Sequence, residues 1–286
     1  MIRRAILRSL VFGLMLTGLL LGDPFTATAA EVPKQGESKT IDAIKARGSL
    51  KVGLLAGYPW LQENTTGSGP QYEGPAWLHA EAYAKELGVK LEVVPVSHET
   101  KVPVVQNGQV DMSVAPLSVT DARKQVVDFV VYSNSSICMF GKADNPKLKD
   151  VKSVDDLNRQ DIIVAYFTGA AEEPWVPQRF PQAQARGVTG SGTAAPVEEI
   201  MSGRADVAPI DKISWVTLQK QVPGLVSWPA GDECLTSTEF SNEVGLAVSK
   251  DDPVFRDWAR SVAEAMKADL QADELRLMKQ GEAASN

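Results

Sequence analysis

Arg123 is the side chain whose type and position best suit binding chemistry. It lies in residues 108–129, GQVDMSVAPLSVTDARKQVVDF. Residues 109–114 read as a short Val-rich strand, Pro116 as its stop, and Ser118 or Thr120 as the cap of a helix that starts near Asp121. Open α/β sheets place ligands just past such strand ends. A permanently charged planar guanidinium there suits a carboxylate, which it can hold through two parallel hydrogen bonds. Taken alone, a solvated helix arginine fits the same pattern. A second anion-attracting feature is Thr168-Gly169-Ala170-Ala171, which opens a helix through Glu172 and Glu173 with free N–H groups at its start. Asp211, just before Lys212-Ile213-Ser214-Trp215, suits a helix N-cap.

Other chemistries find no support. The only histidines are His79 and His98, and no Cys/His/Asp cluster surrounds them, so no metal site is expected. There is no G-x-S-x-G, H-E-x-x-H or P-loop, and the glycines at 190 and 192 lack the third of a G-x-G-x-x-G. Neither a cofactor nor an enzyme is expected. The balance of 29 Lys+Arg against 36 Asp+Glu is mildly acidic, without the basic stripe that a phosphate backbone requires, which argues against nucleic acid.

Residues 1–30 read as an export signal. Arg3, Arg4 and Arg8 precede an apolar run at 10–21, and small residues at 27–30 offer cleavage sites. The run is about 12 residues, short of the roughly 20 that span a bilayer. No cysteine follows it, so no lipid anchor is expected, and the chain should reach the periplasm. There, disulfides persist. Cys138 and Cys234 can therefore be bonded, with two free buried thiols as the competing reading.

The elements that must position these residues follow in order. A helix at 40–47 places Ile41 and Ile44 on one face and ends at Gly48; a strand at 50–55 leads into the loop Gly57-Tyr58-Pro59-Trp60. After a loop or hairpin tip at 64–71, a helix at 74–88 carries Trp77, Ala80, Tyr83, Ala84 and Leu87 at helical spacing. A strand at 90–96 and a short helix at 102–107 precede the Arg123 stretch. Beyond it come strands at 135–141, 161–166 and 243–249, a helix at 196–203, a closing helix at 253–270 and a terminal one at 272–279. The closing helix presents Phe255, Trp258, Val262 and Met266 inward.

Residues 108–129 resemble the extracellular solute-binding proteins of amino-acid ABC transporters, family 3. In that family the pattern runs roughly G-K-V-D, a hydrophobic run, S-x-T-x-T-x-x-R-x-x-x-V-D-F. Gly108, Val110, Asp111, Ser118, Thr120, Arg123, Val127, Asp128 and Phe129 stand at matching places. Residues 203–211, GRADVAPID, resemble the family's G-R-x-D-A-A-h-x-D. The resemblance implies an α/β, two-lobed, type II periplasmic-binding-protein-like fold. Lobe 1 would comprise residues 31–139 and 246–286, with lobe 2, residues 140–245, inserted through two hinge strands. Cys138 and Cys234 flank that insertion, which would put a bond between them near the hinge.

The same resemblance implies a site. Arg123, with Ser118 beside it, would take the ligand carboxylate, and Asp211 its amino group. Tyr58 and His98 would form aromatic walls, and Gly169 and Ala171 would lie at the anion end. The chain departs from the family where Leu55 replaces an acidic residue, where Pro75, Ala76 and Leu78 replace an aromatic and two aspartates, and where Ala170 and Ala171 lack hydroxyls. The function implied is periplasmic capture of a small zwitterion, an amino acid or close analogue, by a monomer that delivers it to the membrane permease of an ABC importer. Two other readings are open. A few family relatives are dehydratases of cyclic carboxylic acids, for which Glu172 or Glu173 would transfer the proton. An accessory protein that binds another protein is the third.

Overall fold

The computed structural model describes residues 31–190 and 194–283; the expected export segment, residues 1–30, lies outside the described residues. The Ser38 hydroxyl accepts the Ile41 N–H at 3.1 Å and caps helix α1 (Lys39–Arg47), which Gly48 ends at φ 75°. Strand β1 (Ser49–Leu54) follows, then a hairpin of β2 (Gln62–Glu63) and β3 (Tyr72–Glu73). Helix α2 (Pro75–Leu87) begins with a proline, which needs no N–H partner there, and stops at Gly88. Its Ala76, Ala80, Tyr83 and Leu87 recur at helical spacing and are buried. The Tyr83 hydroxyl, sealed in the core, donates to the Ala259 carbonyl at 3.0 Å.

The chain continues through β4 (Lys90–Pro95), α3 (Pro103–Gln106), β5 (Met112–Ser118), α4 (Asp121–Val126) and the long β6 (Val127–Lys142). Next come β7 (Ile163–Phe167), α5 (Glu172–Arg179), β8 (Gln184–Val188), α6 (Ala194–Met201), β9 (Val207–Asp211), α7 (Lys212–Gln221) and β10 (Leu225–Trp228). The chain returns through β11 (Glu239–Ser249) and ends in α8 (Pro253–Ala265) and α9 (Lys267–Ala283).

The main sheet has the order β4-β1-β5-β11-β6-β9-β7-β8, with β10 also paired to β6. β6 is its seam. The first half of β6 pairs antiparallel with β11, from Val127 opposite Ser249 to Asn134 opposite Glu243. The second half pairs with β9, from Ile137 opposite Asp211 to Gly141 opposite Val207. β6 and β11 therefore run through both lobes as the two hinge strands. Each lobe has its own core: Leu50, Val52, Tyr83, Met112, Phe255 and Trp258 in the first, Leu157, Ile162, Val164, Val176 and Phe180 in the second. Each such buried side chain contributes about 1.5–3 kcal/mol. A further apolar cluster of Trp60, Ile213 and Val244 joins the two sides across the hinge, so a movement of the lobes has to part that contact.

Three local readings are corrected. Pro116 does not stop β5; the pairing of β5 with β11 shifts register between Gly245 and Ala247, and Pro116 falls at that irregularity, where no ladder donor is required. The strand expected at 135–141 is the far half of β6. The break between the two expected C-terminal helices falls earlier, because Met266 leaves helical geometry at φ −95°, ψ 0° between α8 and α9, with no glycine or proline to mark it. The cysteines are bonded: Cys138 on β6 and Cys234, in a short helical turn before β11, have Cα atoms 5.6 Å apart and close a separation of 96 residues. The free-thiol reading is thereby set aside.

Candidate functional site

A cavity of about 430 Å³ lies where the two lobes meet. Its lobe 1 wall comes from the loop after β1, the turn after β4 and the junction of β5 with α4. Opposite lie the turn before α5 and the junction of β9 with α7.

Arg123 is placed by local chemistry. The Thr120 hydroxyl caps α4 by accepting the Arg123 N–H at 3.3 Å. Nη1 of Arg123 then donates to the Ser118 carbonyl at 2.9 Å, and Nη2 reaches across to the Gly169 carbonyl at 3.1 Å. A guanidinium has five N–H donors, so these contacts leave others for a ligand. Burial pushes its pKa down, against the opposing pull of Glu172.

Gly169 corrects the sequence reading. Its N–H is committed to Glu173 Oε2 at 2.8 Å, so it offers no donor to an anion. What it supplies is closeness. At φ 78°, an added Cβ would stand 2.6 Å from Glu99 Cα, so only glycine lets this turn of lobe 2 press on lobe 1. Ala171, buried at the start of α5, lines the cavity but does not replace the missing hydroxyl.

Asp211 serves both readings open to it. It caps α7 by accepting the Ile213 N–H at 2.8 Å, and it faces the cavity. Burial raises its pKa to about 6, although Ser135 and the N–H groups of Ile213 and Ser214 pull the other way. At neutral pH it is mostly a carboxylate. Asp206, by contrast, is tied to Asn145 and Lys147 at 2.8 Å each and to the Ile163 N–H at 2.9 Å, outside the cavity.

Tyr58 lines the cavity while its hydroxyl donates to the Leu277 and Met278 carbonyls of α9, at 3.2 and 3.3 Å. Trp60, the next aromatic of the same loop, stands beside it and donates Nε1 to Glu274 at 3.3 Å. His98 is half-buried and stacks on Phe167 of the opposite lobe, with centroids 4.4 Å apart and planes at 21°. Burial, and then the charge of Lys101, hold its pKa down to about 3, so it is a neutral ring at pH 7. The Ser214 hydroxyl adds another cross-lobe bond, to the Tyr58 carbonyl at 3.2 Å. With these contacts the lobes stand closed.

The structure thus brings Tyr58, His98, Ser118, Arg123, Ala171 and Asp211 to one cavity, with Gly169 beside it. Sequence reasoning missed Lys101 and Phe167. Lys101 sits in the polar turn SHETK, which carries no periodicity and reads as solvated, yet it is 5% exposed. Among the described residues no group of His, Cys, Asp or Glu is arranged to hold a metal, and no helix is long and apolar enough to cross a membrane.

Comparison with known proteins places this geometry. The family model for bacterial extracellular solute-binding proteins, family 3, matches residues 50–277. The ABC transporter glutamine-binding protein GlnH of Bacillus subtilis is 24% identical over 254 residues, covering 86% of each chain. Membrane-bound lytic murein transglycosylase F of Aeromonas hydrophila is 29% identical over 197 residues, which are 65% of this chain but 35% of that protein; the chain spans about a third of its length. Among solved structures, the ancestral amino acid-binding protein AncCDT-1, described as a precursor of cyclohexadienyl dehydratase, is 30% identical with a TM-score of 0.68, covering 84% of this chain and 98% of that one. AbpA of Streptococcus pneumoniae, an amino acid ABC transporter substrate-binding protein bound to L-arginine, is 23% identical with a TM-score of 0.71, covering 85% and 98%.

Proposed function

The chain belongs to the bacterial extracellular solute-binding proteins, family 3, and on that premise we propose that it closes on a small zwitterion, an amino acid or close analogue, and delivers it to the membrane permease of an ABC importer. The observation that carries this reading is an opposed pair: Arg123 from lobe 1 and Asp211 from lobe 2 face one cavity. Arg123 takes the carboxylate and Asp211 the ammonium. Tyr58, Trp60 and the His98–Phe167 stack close the sides, and the Ser118 and Gly169 carbonyls aim the guanidinium. Since each lobe holds one pole, a zwitterion binds the closed form better than the open one and shifts the hinge equilibrium toward it. Lobe boundaries at 139/140 and 245/246, a periplasmic site of action and a monomeric state belong to the same proposal.

A dehydratase on this scaffold is the second reading. It is favoured by the cavity position of Glu172 near Lys101, an acid–base pair, and by the likeness to a dehydratase precursor. One screen separates the two. Against a panel of amino acids, amines and small carboxylates, cyclic ones included, a ligand present at a hundred times its Kd stabilises the fold by about 2.7 kcal/mol. That amounts to a melting-point rise of roughly 5–10 °C for a chain of this size. Binding weakens as pH falls below about 6, where Asp211 takes up a proton and loses its hold on the ammonium. A ligand recovered unchanged supports transport; one converted with loss of water supports the enzyme.

A further inference from the structure

The zwitterion reading leaves one buried cation of the cavity unused. Lys101 is 5% exposed, and among the described residues its Nζ has only two neighbours within hydrogen-bond reach, His98 Nδ1 at 3.3 Å and the Pro116 carbonyl at 3.4 Å. Both are long contacts to neutral acceptors. Arg123 is likewise held by carbonyls alone, those of Ser118 and Gly169, and among the described residues neither cation forms an ion pair. Cations withdrawn from water without a counter-charge are costly to keep, and the cost is recovered when an anion arrives.

The two heads are anchored at different carbonyls of one strand. Pro116 and Ser118 are alternate residues of β5, so the anchoring carbonyls lie about 7 Å apart along it. The groups acting on Lys101 come from every side: His98 and Glu99 on its own turn, Arg123 from α4 and Glu172 from α5. Burial, then Arg123, lower its pKa to about 7, while Glu172 and Glu99 act against that shift from beyond ion-pair distance. His98 is neutral and accepts rather than repels.

We propose that Lys101 receives a second anionic group on the ligand, so that, given the zwitterion reading on which this rests, the cleft is built for an amino dicarboxylic acid. An α-carboxylate then lies on Arg123, the ammonium on Asp211 and the side-chain carboxylate on Lys101. A cationic side chain would instead seek Glu172 and meet Lys101 as a like charge.

Titration calorimetry of the wild type and Lys101→Met with L-glutamate, L-aspartate, their amides, L-arginine and glutarate tests this. Methionine keeps the unbranched stem and drops the charge. The wild type should bind one of the two diacids at least tenfold more tightly than its amide. That preference should shrink as pH rises from 7 to 9, because the free-state Lys101 ammonium deprotonates and weakens diacid binding, while amide binding loses only what its own α-ammonium loses. Lys101→Met should bind diacid and amide within about threefold of each other. Preference for an amide or arginine in the wild type overturns the assignment, as does a preference that survives in folded Lys101→Met. If the variant does not fold, a wild-type preference that is flat between pH 7 and 9 overturns it. Glutarate binding as tightly as glutamate would support the second anion site while overturning the ammonium on Asp211, so the two failures are distinguishable.

Discussion

Arg123→Ala is expected to lower affinity for the amino-acid ligand by roughly 30- to several-thousand-fold, a loss of about 2–5 kcal/mol. The size follows from what is left behind. The ligand carboxylate remains desolvated in the cleft but loses its charge-assisted, two-pronged partner. The closed state suffers as well, because the Arg123–Gly169 bond is itself a cross-lobe contact at 3.1 Å. Fold stability should change little, since the guanidinium makes no ion pair among the described residues and its helix is capped by Thr120 rather than by the arginine side chain. Calorimetry alongside a thermal melt reads both effects. A folded variant that binds as tightly as the wild type removes the carboxylate site and moves the accessory-protein reading to first place.

The second large effect is on stability. Cys138→Ala combined with Cys234→Ala should destabilise the protein by about 4–5 kcal/mol in the chain-entropy account, since the bond closes a loop of 96 residues. For a chain of this size that is a fall in Tm of roughly 8–20 °C. Both sulfurs are buried in the apolar cluster that also holds Phe140 and Trp215, so lost packing acts in the same direction. Neither cysteine lines the cavity, and ligand affinity well below the new Tm should stay within a few-fold of wild type. A melt of the double variant within 2–3 °C of the wild type would contradict the bond's structural role.

What could be read from the sequence depended on how local the cause was. Helix α2 declares itself through apolar spacing, an initial proline and a terminal Gly88, and the structure starts and stops it within a residue of that reading. Arg123 and Asp211 were legible because a cap, a strand end and a fixed spacing identify them without knowledge of their neighbours. Pro116 was misread because the register shift that tolerates it belongs to the pairing with β11, more than 120 residues away in sequence. Gly169 was picked out, but in the wrong role. Its carbonyl serves Arg123, 46 residues distant, while its amide is occupied by a neighbour four residues on. Lys101 gave no signal, since nothing in the polar turn SHETK marks one of its residues as buried, and its partner Pro116 lies 15 residues further on.

The central claim, that Arg123 and Asp211 hold the two poles of one ligand, is tested most directly by a calorimetric cycle. Wild type and Asp211→Asn would each be titrated with the amino acid found in the screen and with its counterpart lacking the amino group. Asparagine is a good N-cap, so α7 keeps its start while the charge is lost. The account predicts that removing the amino group costs the wild type about 2–5 kcal/mol of binding, and Asp211→Asn less than about 1 kcal/mol. An equal loss in both proteins would contradict it.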